Sequence, residues 1–381
     1  MKSINKILLV LLLAIGTATV FLSCKKDETP TPTVSYVRIT DPKSSDSLLA
    51  GAGQGKLIAI MGNNLEDAVQ VWFNDQQALL TPTYISSHTI LVSVPSVIPQ
   101  TITNKIKIIF KNGYVLNYDF QVQISKPQVS SMISEFVNAG DTATVLGNYF
   151  YAPITVTFTG GDTGKVVSLT ATQVQFLVPA NAQQGPITIK TNFGVTKSDF
   201  WFRDNRNVVI SSDPYEGWHD PGFVVTTPGP GDPPAINGNY IHVKKLISAW
   251  SWNEIADGDA PSMPHTSKNI PDDAILNPSK YYLKFEVNTL KPYNNSMIRL
   301  NIGVHDAGQA DNVNYQWAPP FDTHGKWQTV VIPFDEVLNS YGTKTSVNPA
   351  GYWTRLLIQG PGDWDADISF DTFRVVPKVS Q

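Results

Sequence analysis

Short runs of β-branched and aromatic residues, separated by turn-forming residues, are the feature that most restricts the fold of this chain. From Val34 onward these runs are four to seven residues long and are broken by Gly, Asn, Pro and Asp. Typical runs are Leu57–Met61, Lys105–Phe110 and Ile154–Phe158. Strands of this length with this punctuation are characteristic of β-sandwiches, and no stretch keeps a helical periodicity. The chain is therefore predicted to be all-β.

An internal repeat divides the first half of the chain. The segment Gly62–Leu65 matches Gly147–Phe150, and a strand phenylalanine, Phe73 or Phe158, follows each glycine after eleven residues. Each copy then continues through a Val-Pro pair to a second glycine; these landmarks are Val94-Pro95 with Gly113 and Val178-Pro179 with Gly194. Glycine permits turn geometry, and Val-Pro ends a strand where no further backbone donor is needed. The spacing predicts two copies of one small domain.

The repeat resembles the immunoglobulin-like TIG domain, also called IPT. The resemblance implies TIG/IPT-like sandwiches over residues 34–123 and 124–202. Residues 203–381 differ in composition and are predicted to form a larger, jelly-roll-like β-sandwich. In surface proteins TIG modules usually act as spacers, which is the role predicted for them here. Direct contact with a ligand is the alternative.

The first residues form a targeting segment and are kept out of the fold prediction. After Lys2 and Lys6, the apolar run Ile7–Ile15 is nine residues long, well short of the roughly 20 that span a bilayer as a helix. It ends before Ser23-Cys24, which resembles the lipobox of bacterial lipoproteins. The resemblance implies a signal peptide over residues 1–23 and an acylated Cys24 that begins a Thr/Pro spacer over 24–33. An ordinary secretory signal with a free cysteine is the alternative.

The residues after Cys24, Lys25–Glu28, resemble the tag that sends Bacteroides-type lipoproteins to the outer leaflet. This implies a lipid-anchored protein of the outer membrane that faces the extracellular side. Because Cys24 is the single cysteine, stability must come from cores large enough to hold without a disulfide. The net charge of −4 does not favour nucleic acid, which would call for basic patches. A sparsely charged, aromatic-rich chain suits a neutral ligand.

Tryptophan is concentrated in the C-terminal segment. Seven of the nine tryptophans lie there: Trp218, Trp250, Trp252, Trp317, Trp327, Trp353 and Trp364. One sandwich core accommodates only a few indoles with their N–H groups satisfied. The surplus is predicted to be exposed and to stack against sugar rings, whose C–H faces are apolar.

Alternation within two predicted strands, Ile298–Val304 and Trp353–Gln359, separates a core face from an outer face. The outer face is predicted to carry a sugar-binding set: Arg299, Asn301, Trp353, Arg355 and Gln359. Two aromatic pairs, Tyr315 with Trp317 and Trp250 with Trp252, each lie on one face of a further strand and are added to the set. Trp364 is added as an exposed loop tip. Trp327 is assigned to the core, and Trp218 fits either role.

Five motifs of this segment occur in a recognisable order: Glu216–His219, Gly238–Val243, Tyr315–Pro319, Gly325–Pro333 and Asp371–Pro377. Together with the lipobox and TIG repeats they resemble Bacteroides-type surface glycan-binding lipoproteins of the xyloglucan-binding kind. The resemblance implies a non-catalytic protein that captures a neutral β-glucan or hemicellulose. It also implies work beside an outer-membrane glycan transporter and surface glycanases.

Two rival functions remain open. A glycosidase or lyase would need two carboxylates across a cleft at about 5 to 10 Å, and the sequence shows no signature for such a pair. An adhesin using the TIG repeats would have mostly buried tryptophans. No cofactor is expected, although a structural calcium ion held by loop aspartates is left open.

Overall fold

The computed structural model describes residues 30–44, 46–213, 221–257, 266–293, 296–318, 321–342 and 346–378. The predicted signal peptide, Cys24 and Trp218 lie outside the described residues. The chain divides into two compact units, of which the first ends at Ile124 and the second begins at Ser125. The predicted boundary between residues 123 and 124 lies next to this division, whereas the predicted boundary at residue 203 lies inside the second unit. The described helices are too short to cross a bilayer.

The described residues of the first unit form a β-sandwich of nine strands. They are β1 Thr33–Ile39, β2 Gly51–Gly53, β3 Leu57–Asn63, β4 Ala68–Phe73, β5 Gln76–Ala78, β6 Thr89–Ser93, β7 Lys105–Phe110, β8 Val115–Asp119 and β9 Gln121–Gln123. One sheet has the order β1-β3-β6 and another β5-β4-β7-β8, while β2 pairs with β9 in parallel. Alternate residues of the two larger sheets, among them Ile58, Ile60, Val71 and Phe73, meet in one apolar core.

The second unit opens with a sandwich of the same kind. Its strands are β10 Gln128–Met132, β11 Thr142–Asn148, β12 Thr155–Thr159, β13 Thr163–Leu169, β14 Gln173–Leu177, β15 Gln183–Thr191 and β16 Gly194–Phe202. They follow the order β10-β11-β14-β13-β12-β15-β16. Their core contains Phe158, Phe176 and Phe202, whose rings meet edge to face.

The repeat in the sequence corresponds to a repeated local geometry. Gly62 in β3 and Gly147 in β11 each lie opposite an irregularity in the neighbouring strand. A Cβ built at either glycine would lie 1.9 Å from a backbone carbonyl oxygen, that of Thr33 or of Gln128. The two strands approach this closely because the glycines have no side chain.

Replacing Gly62 with alanine is therefore expected to separate β1 from β3 locally. Because the clash is with backbone, relief requires a strand to move, and overpacking of this kind costs roughly 2–3 kcal/mol. The matched control is Gly53→Ala, where an added Cβ meets nothing within 4 Å. Chemical denaturation of both variants in the full chain checks this, and an equal, small loss for the two would contradict it.

The C-terminal part of the second unit is larger. Its strands are β17 Val208–Ile210, β18 Val224–Val225, β19 Tyr240–Ile247, β20 Asn253–Asp257, β21 Thr266–Ser267, β22 Tyr281–Thr289, β23 Ile298–Val304, β24 Tyr315–Trp317, β25 Gln328–Pro333, β26 Tyr352–Ile358 and β27 Trp364–Pro377. Three short helices, α1 Asp272–Leu276, α2 Ala307–Asn312 and α3 Phe334–Asn339, lie between strands.

Two sheets of this part enclose the largest core of the described residues. The first has the order β18-β19-β27-β22-β25 with β17 beside β27, and the second has the order β20-β26-β23-β24 with β21 beside β26. This core contains Leu283, Phe285 and Val287 of β22 and Leu356 and Ile358 of β26. The predicted all-β architecture, with TIG-type sandwiches before a larger β-sandwich, is confirmed.

A buried charge cluster joins the β10–β16 sandwich to the C-terminal sheets. The carboxylate of Glu135 lies 2.5 Å from Lys284 Nζ and 2.7 Å from Arg374 Nη2, and Arg374 also lies 3.0 Å from Glu286 Oε1. All four side chains are buried. Burial raises the pKa of Glu286, although the charge of Arg374 acts in the opposite direction.

The backbones of the two parts are bonded around this cluster as well. The Thr329 N–H donates to the carbonyl of Ile133, and the Glu135 N–H donates to Thr329 Oγ1 at 2.7 Å. The Ser134 hydroxyl donates to Glu286 at 3.1 Å. Every charged group of the cluster therefore has a partner, as buried ions require.

Candidate functional site

Two of the predicted binding tryptophans are in the core. Trp317 is 6% exposed and Trp364 is 2% exposed. The Trp317 ring stacks on Tyr293 at 5.5 Å, and the Trp364 Nε1–H donates to the carbonyl of Pro292. Their predicted exposure is therefore wrong. Trp364 begins β27 opposite Ile247 instead of ending a loop, and Trp317 pairs with Ile298, an inward residue.

Tyr315 shares the face of Trp317, as predicted, but this face also points inward. It pairs with Leu300 and packs, half-buried, against the core. Burial raises the pKa of its hydroxyl, and the nearby charge of Glu336 adds to the shift. Trp353 is half-buried and also packs against the core. Both rings are therefore partly covered by the core, in contrast to the predicted exposure.

Arg355 and Asn301 share the outer face of their sheet, as predicted, but both are buried. Helix α2 lies over them. Arg355 Nη2 and Asn301 Nδ2 each donate to the carbonyl of Ala310 at 3.0 Å, and Arg355 Nε donates to Asn301 Oδ1 at 3.1 Å. The prediction that both contact a ligand is therefore not met. Both residues instead hold α2 against the sheet.

Trp252 is the point at which this buried network reaches solvent. Its side chain is 50% exposed, and the Arg355 guanidinium carbon lies 5.0 Å from the ring centroid. The Trp252 Nε1–H donates to Glu254 Oε2 at 3.2 Å. Glu254 and Asp311 in turn form ion pairs with Arg355 at 3.5 and 3.1 Å. The hydrogen bond to Glu254 holds the edge of the indole, and the Arg355 guanidinium lies against one face of the ring. The two contacts together restrict the rotation of the side chain.

Trp250 is the most exposed tryptophan of the described residues at 57%. Its backbone has φ of +59°, a left-handed conformation that is costly for a bulky residue. Its N–H donates to the carbonyl of Gly360 at 2.7 Å, and its carbonyl accepts from Gln359 Nε2 at 3.3 Å. A Cβ at Gly360 would lie 2.5 Å from the backbone nitrogen of Met297, so a side chain there would disturb this anchor. Backbone strain that is held in place by surrounding bonds is a frequent feature of binding sites.

Arg299 and Gln359 complete the exposed surroundings of these two indoles. Both are half-buried, and Arg299 Nε donates to the carbonyl of Gln359 at 3.0 Å. Arg299 also approaches Asn314 Oδ1 at 3.4 Å. We name the set Trp250, Trp252, Glu254, Arg299 and Gln359 the indole surface. It combines two apolar ring faces with a carboxylate, a guanidinium and an amide, which are groups that can contact a sugar ring and its hydroxyls.

Sequence reasoning missed Glu254 and Asp311 as partners of this surface. The chain contains many carboxylates, and nothing near Glu254 or Asp311 in the sequence distinguishes these two. Their role depends on Arg355, which is distant from both in the sequence. Trp327, assigned to the core, is buried against Tyr240 and donates its Nε1–H to the carbonyl of Pro234. Among the described residues, no group of three or more His, Cys, Asp or Glu side chains could hold a metal ion.

The fold and this surface define a multidomain β-sandwich protein with an aromatic surface on its last domain. Residues 202–377 match the family model described as the surface glycan-binding protein B xyloglucan-binding domain, and residues 48–122 match the IPT/TIG domain. The chain thus combines a TIG domain with a C-terminal domain of the surface glycan-binding protein B type. The resemblance drawn from the sequence motifs is confirmed in this respect.

The chain is similar to proteins of Bacteroides ovatus and Prevotella bryantii. An IPT/TIG domain-containing protein of Bacteroides ovatus is 30% identical over 162 residues, which are 40% of this chain and 33% of that protein. The chain therefore matches about one third of that relative's length. The crystal structure of surface glycan-binding protein PbSGBP-B from Prevotella bryantii is 25% identical, with a TM-score of 0.67 over 92% of this chain and 99% of the other. A structure with a xylogluco-oligosaccharide is 16% identical, covers 91% and 99% of the two chains, and has a TM-score of 0.50, a likeness in fold.

Proposed function

We propose that this protein is a non-catalytic, cell-surface lipoprotein that captures a neutral plant-type glycan through the indole surface. The observation that carries the proposal is the pair of half-exposed indoles, Trp250 and Trp252, each held by its own set of bonds. They lie in the domain that matches the glycan-binding family. The ligand class is a β-glucan or hemicellulose, with xyloglucan the first choice because of the family description.

The energetics fit a reversible capture. A sugar ring stacked on an indole buries roughly 80 Å² of apolar surface, which contributes on the order of 2 kcal/mol before ordering costs. Two such contacts contribute about 4 kcal/mol, which corresponds to a dissociation constant of about 1 mM, so any tighter binding must come from hydrogen bonds to the hydroxyls of the sugar. Such an affinity allows a surface protein to pass its polymer on. A preformed surface reduces the ordering cost on the protein's side.

The charges near the indoles argue for binding over hydrolysis. Hydrolysis of a glycosidic bond needs an acid and a base or nucleophile that both face the same bond. Here Glu254 and Asp311 share one partner, Arg355, and Glu254 also accepts from Trp252. These contacts give both carboxylates a role in holding Arg355, and give Glu254 a further role in holding the Trp252 ring.

The anchor and the partners in the proposal rest on the sequence. Acylation of Cys24 behind a lipobox, followed by Lys25–Glu28, would attach the chain to the outer membrane with its domains facing the exterior. Several acyl chains together hold a protein stably, because each buried methylene contributes about 0.8 kcal/mol. An outer-membrane glycan transporter and surface glycanases are the partners that the resemblance implies.

Affinity gel electrophoresis of the chain from Cys24 onward against soluble glucans, mannans and xylans tests the proposal. Retardation by xyloglucan or another neutral β-linked polymer, without release of reducing ends on prolonged incubation, is the expected result. Release of reducing ends would favour a glycoside hydrolase. Migration unchanged by every polymer would overturn glycan capture and favour an adhesin.

A further inference from the structure

We propose that the first unit carries a second glycan-binding platform, centred on Trp72, on the outward face of the β5-β4-β7-β8 sheet. The ligand is a neutral β-linked glucan chain, and this choice of ligand class rests on the proposed function. The platform is independent of the indole surface in its residues and in its fold. TIG-type domains are otherwise expected to serve as spacers, so the platform would give the first TIG-type domain a second role.

Strand register gathers the platform from four strands. Trp72 pairs with Gln77 on one side and with Lys107 on the other, and Lys107 pairs with Asn117. Residues directly opposite each other in antiparallel strands project to the same side of the sheet. The row Gln77–Trp72–Lys107–Asn117 therefore crosses the face. A second row, formed by Gln70, Ile109 and Val115, runs beside it.

The Trp72 indole is oriented along this face. Its Nε1–H donates to Gln70 Oε1 at 2.9 Å, so its edge is held by the neighbouring row. The ring is half-buried and lies outside the apolar core that the described residues of this unit form. Its neighbours in the strand, Val71 and Phe73, fill that core instead. The indole is therefore available to a ligand on the solvent side of the sheet.

Lys107 does not close the ring to a ligand. Its Nζ lies 4.8 Å from the ring centroid, and a cation–π contact at an exposed site is weak. The side chain has a flexible four-carbon stem and three donors. An arriving sugar ring can displace the ammonium, which can then donate to a hydroxyl at the ring's edge.

The charge of the face fits an uncharged, hydroxyl-rich chain. On these four strands, all of which are described, the outward charged groups are Lys107 and the pair Lys105–Asp119, whose atoms lie 2.6 Å apart. The amides of Gln70, Gln77 and Asn117 can accept as well as donate. An apolar indole can contact the C–H face of a glucan ring, and the amides beside it can bond to the hydroxyls at the edge of that ring.

Fluorine NMR of the full chain labelled with 5-fluorotryptophan tests the inference. Trp72→Phe assigns the Trp72 signal. Trp201→Phe assigns a matched control, a half-buried indole covered by Arg206 at 3.7 Å. In the background Trp250→Ala with Trp252→Ala, cellohexaose at millimolar concentration is expected to shift the Trp72 signal and leave the Trp201 signal unchanged. Asn117→Ala should raise the half-saturating concentration about threefold to tenfold, the loss of one hydrogen bond.

The outcomes separate this inference from the proposed function. A shift of the indole-surface signals in the unsubstituted chain, with the Trp72 signal unmoved at the highest cellohexaose concentration in both backgrounds, overturns the platform alone. No shift of any tryptophan signal with any neutral oligosaccharide overturns both. A larger Trp72 shift with oligogalacturonate than with cellohexaose overturns the neutral class and assigns Lys107 to an acidic ligand.

Discussion

Trp252→Ala is expected to weaken binding of the cognate glycan by roughly tenfold to a hundredfold. Stacking of a sugar ring on the indole removes apolar area from water, and Trp252→Ala loses this contribution. A loss of about 1.4 to 2.8 kcal/mol corresponds to the expected change in the dissociation constant. The effect is large because the indole is already fixed between Glu254 and Arg355, so its ordering cost is met before the ligand arrives. Isothermal titration with a xyloglucan oligosaccharide measures it.

The controls for this variant distinguish a lost contact from a lost fold. Trp252→Phe keeps an aromatic face without the N–H bond to Glu254 and should retain part of the affinity. Leu276→Ala removes another exposed apolar side chain, 63% exposed on α1, and should bind like the unsubstituted chain. The thermal midpoint of Trp252→Ala should change little. Unchanged affinity in a folded Trp252→Ala variant would remove Trp252 from the site.

Arg374→Ala is expected to destabilise the second unit by about 3–5 kcal/mol, the usual result of leaving a buried ion without its partner. The guanidinium is fully buried and contacts both Glu135 and Glu286. Its removal leaves Glu286 buried without a cation, beside Glu135, which keeps Lys284 as its partner. The comparison is Lys291→Ala, which breaks the exposed Lys291–Asp365 pair. Exposed pairs contribute at most about 1 kcal/mol.

The loss in Arg374→Ala should depend on pH in a defined direction. Burial already raises the pKa of Glu286, and without the guanidinium the folded-state pKa rises further. When the pKa of a carboxyl is higher in the folded state than in the unfolded state, the free energy of unfolding decreases as the pH rises between the two pKa values. Chemical denaturation at pH 5 and pH 8 should therefore show the greater deficit at pH 8. A deficit that is equal at both values, or below that of Lys291→Ala, would contradict the role given to the cluster.

The strands and the repeat could be predicted from the sequence because their determinants are local. Alternation in Ile298–Val304 identifies its inward residues, and Gly62 and Gly147 mark the same close strand approach in two domains. The site was harder to predict. Alternation in Tyr315–Trp317 identifies two faces but does not say which of them is the core.

Non-local packing decided the rest of the site. Arg355 and Asn301 lie on the predicted outer face, yet α2, contributed by the β23–β24 connection, covers them. Trp364 lies in the core because β27 begins at Trp364 itself, where it pairs with Ile247, and not after it. Trp250 and Trp252, which were candidates, are exposed. The left-handed backbone of Trp250 and the contact of Arg355 with the Trp252 ring could not be predicted from the sequence.

The buried charges that link Glu135 to Lys284 and Arg374 have a practical consequence for dividing this protein. The match to the glycan-binding family model begins at residue 202, whereas the compact unit that contains the whole charge cluster begins at Ser125. A fragment that begins at residue 202 would expose Lys284, Arg374 and Glu286 to water and would lack Ile133 and Glu135, which bond to Thr329. For recombinant work on glycan recognition, Ser125 is accordingly the better starting residue.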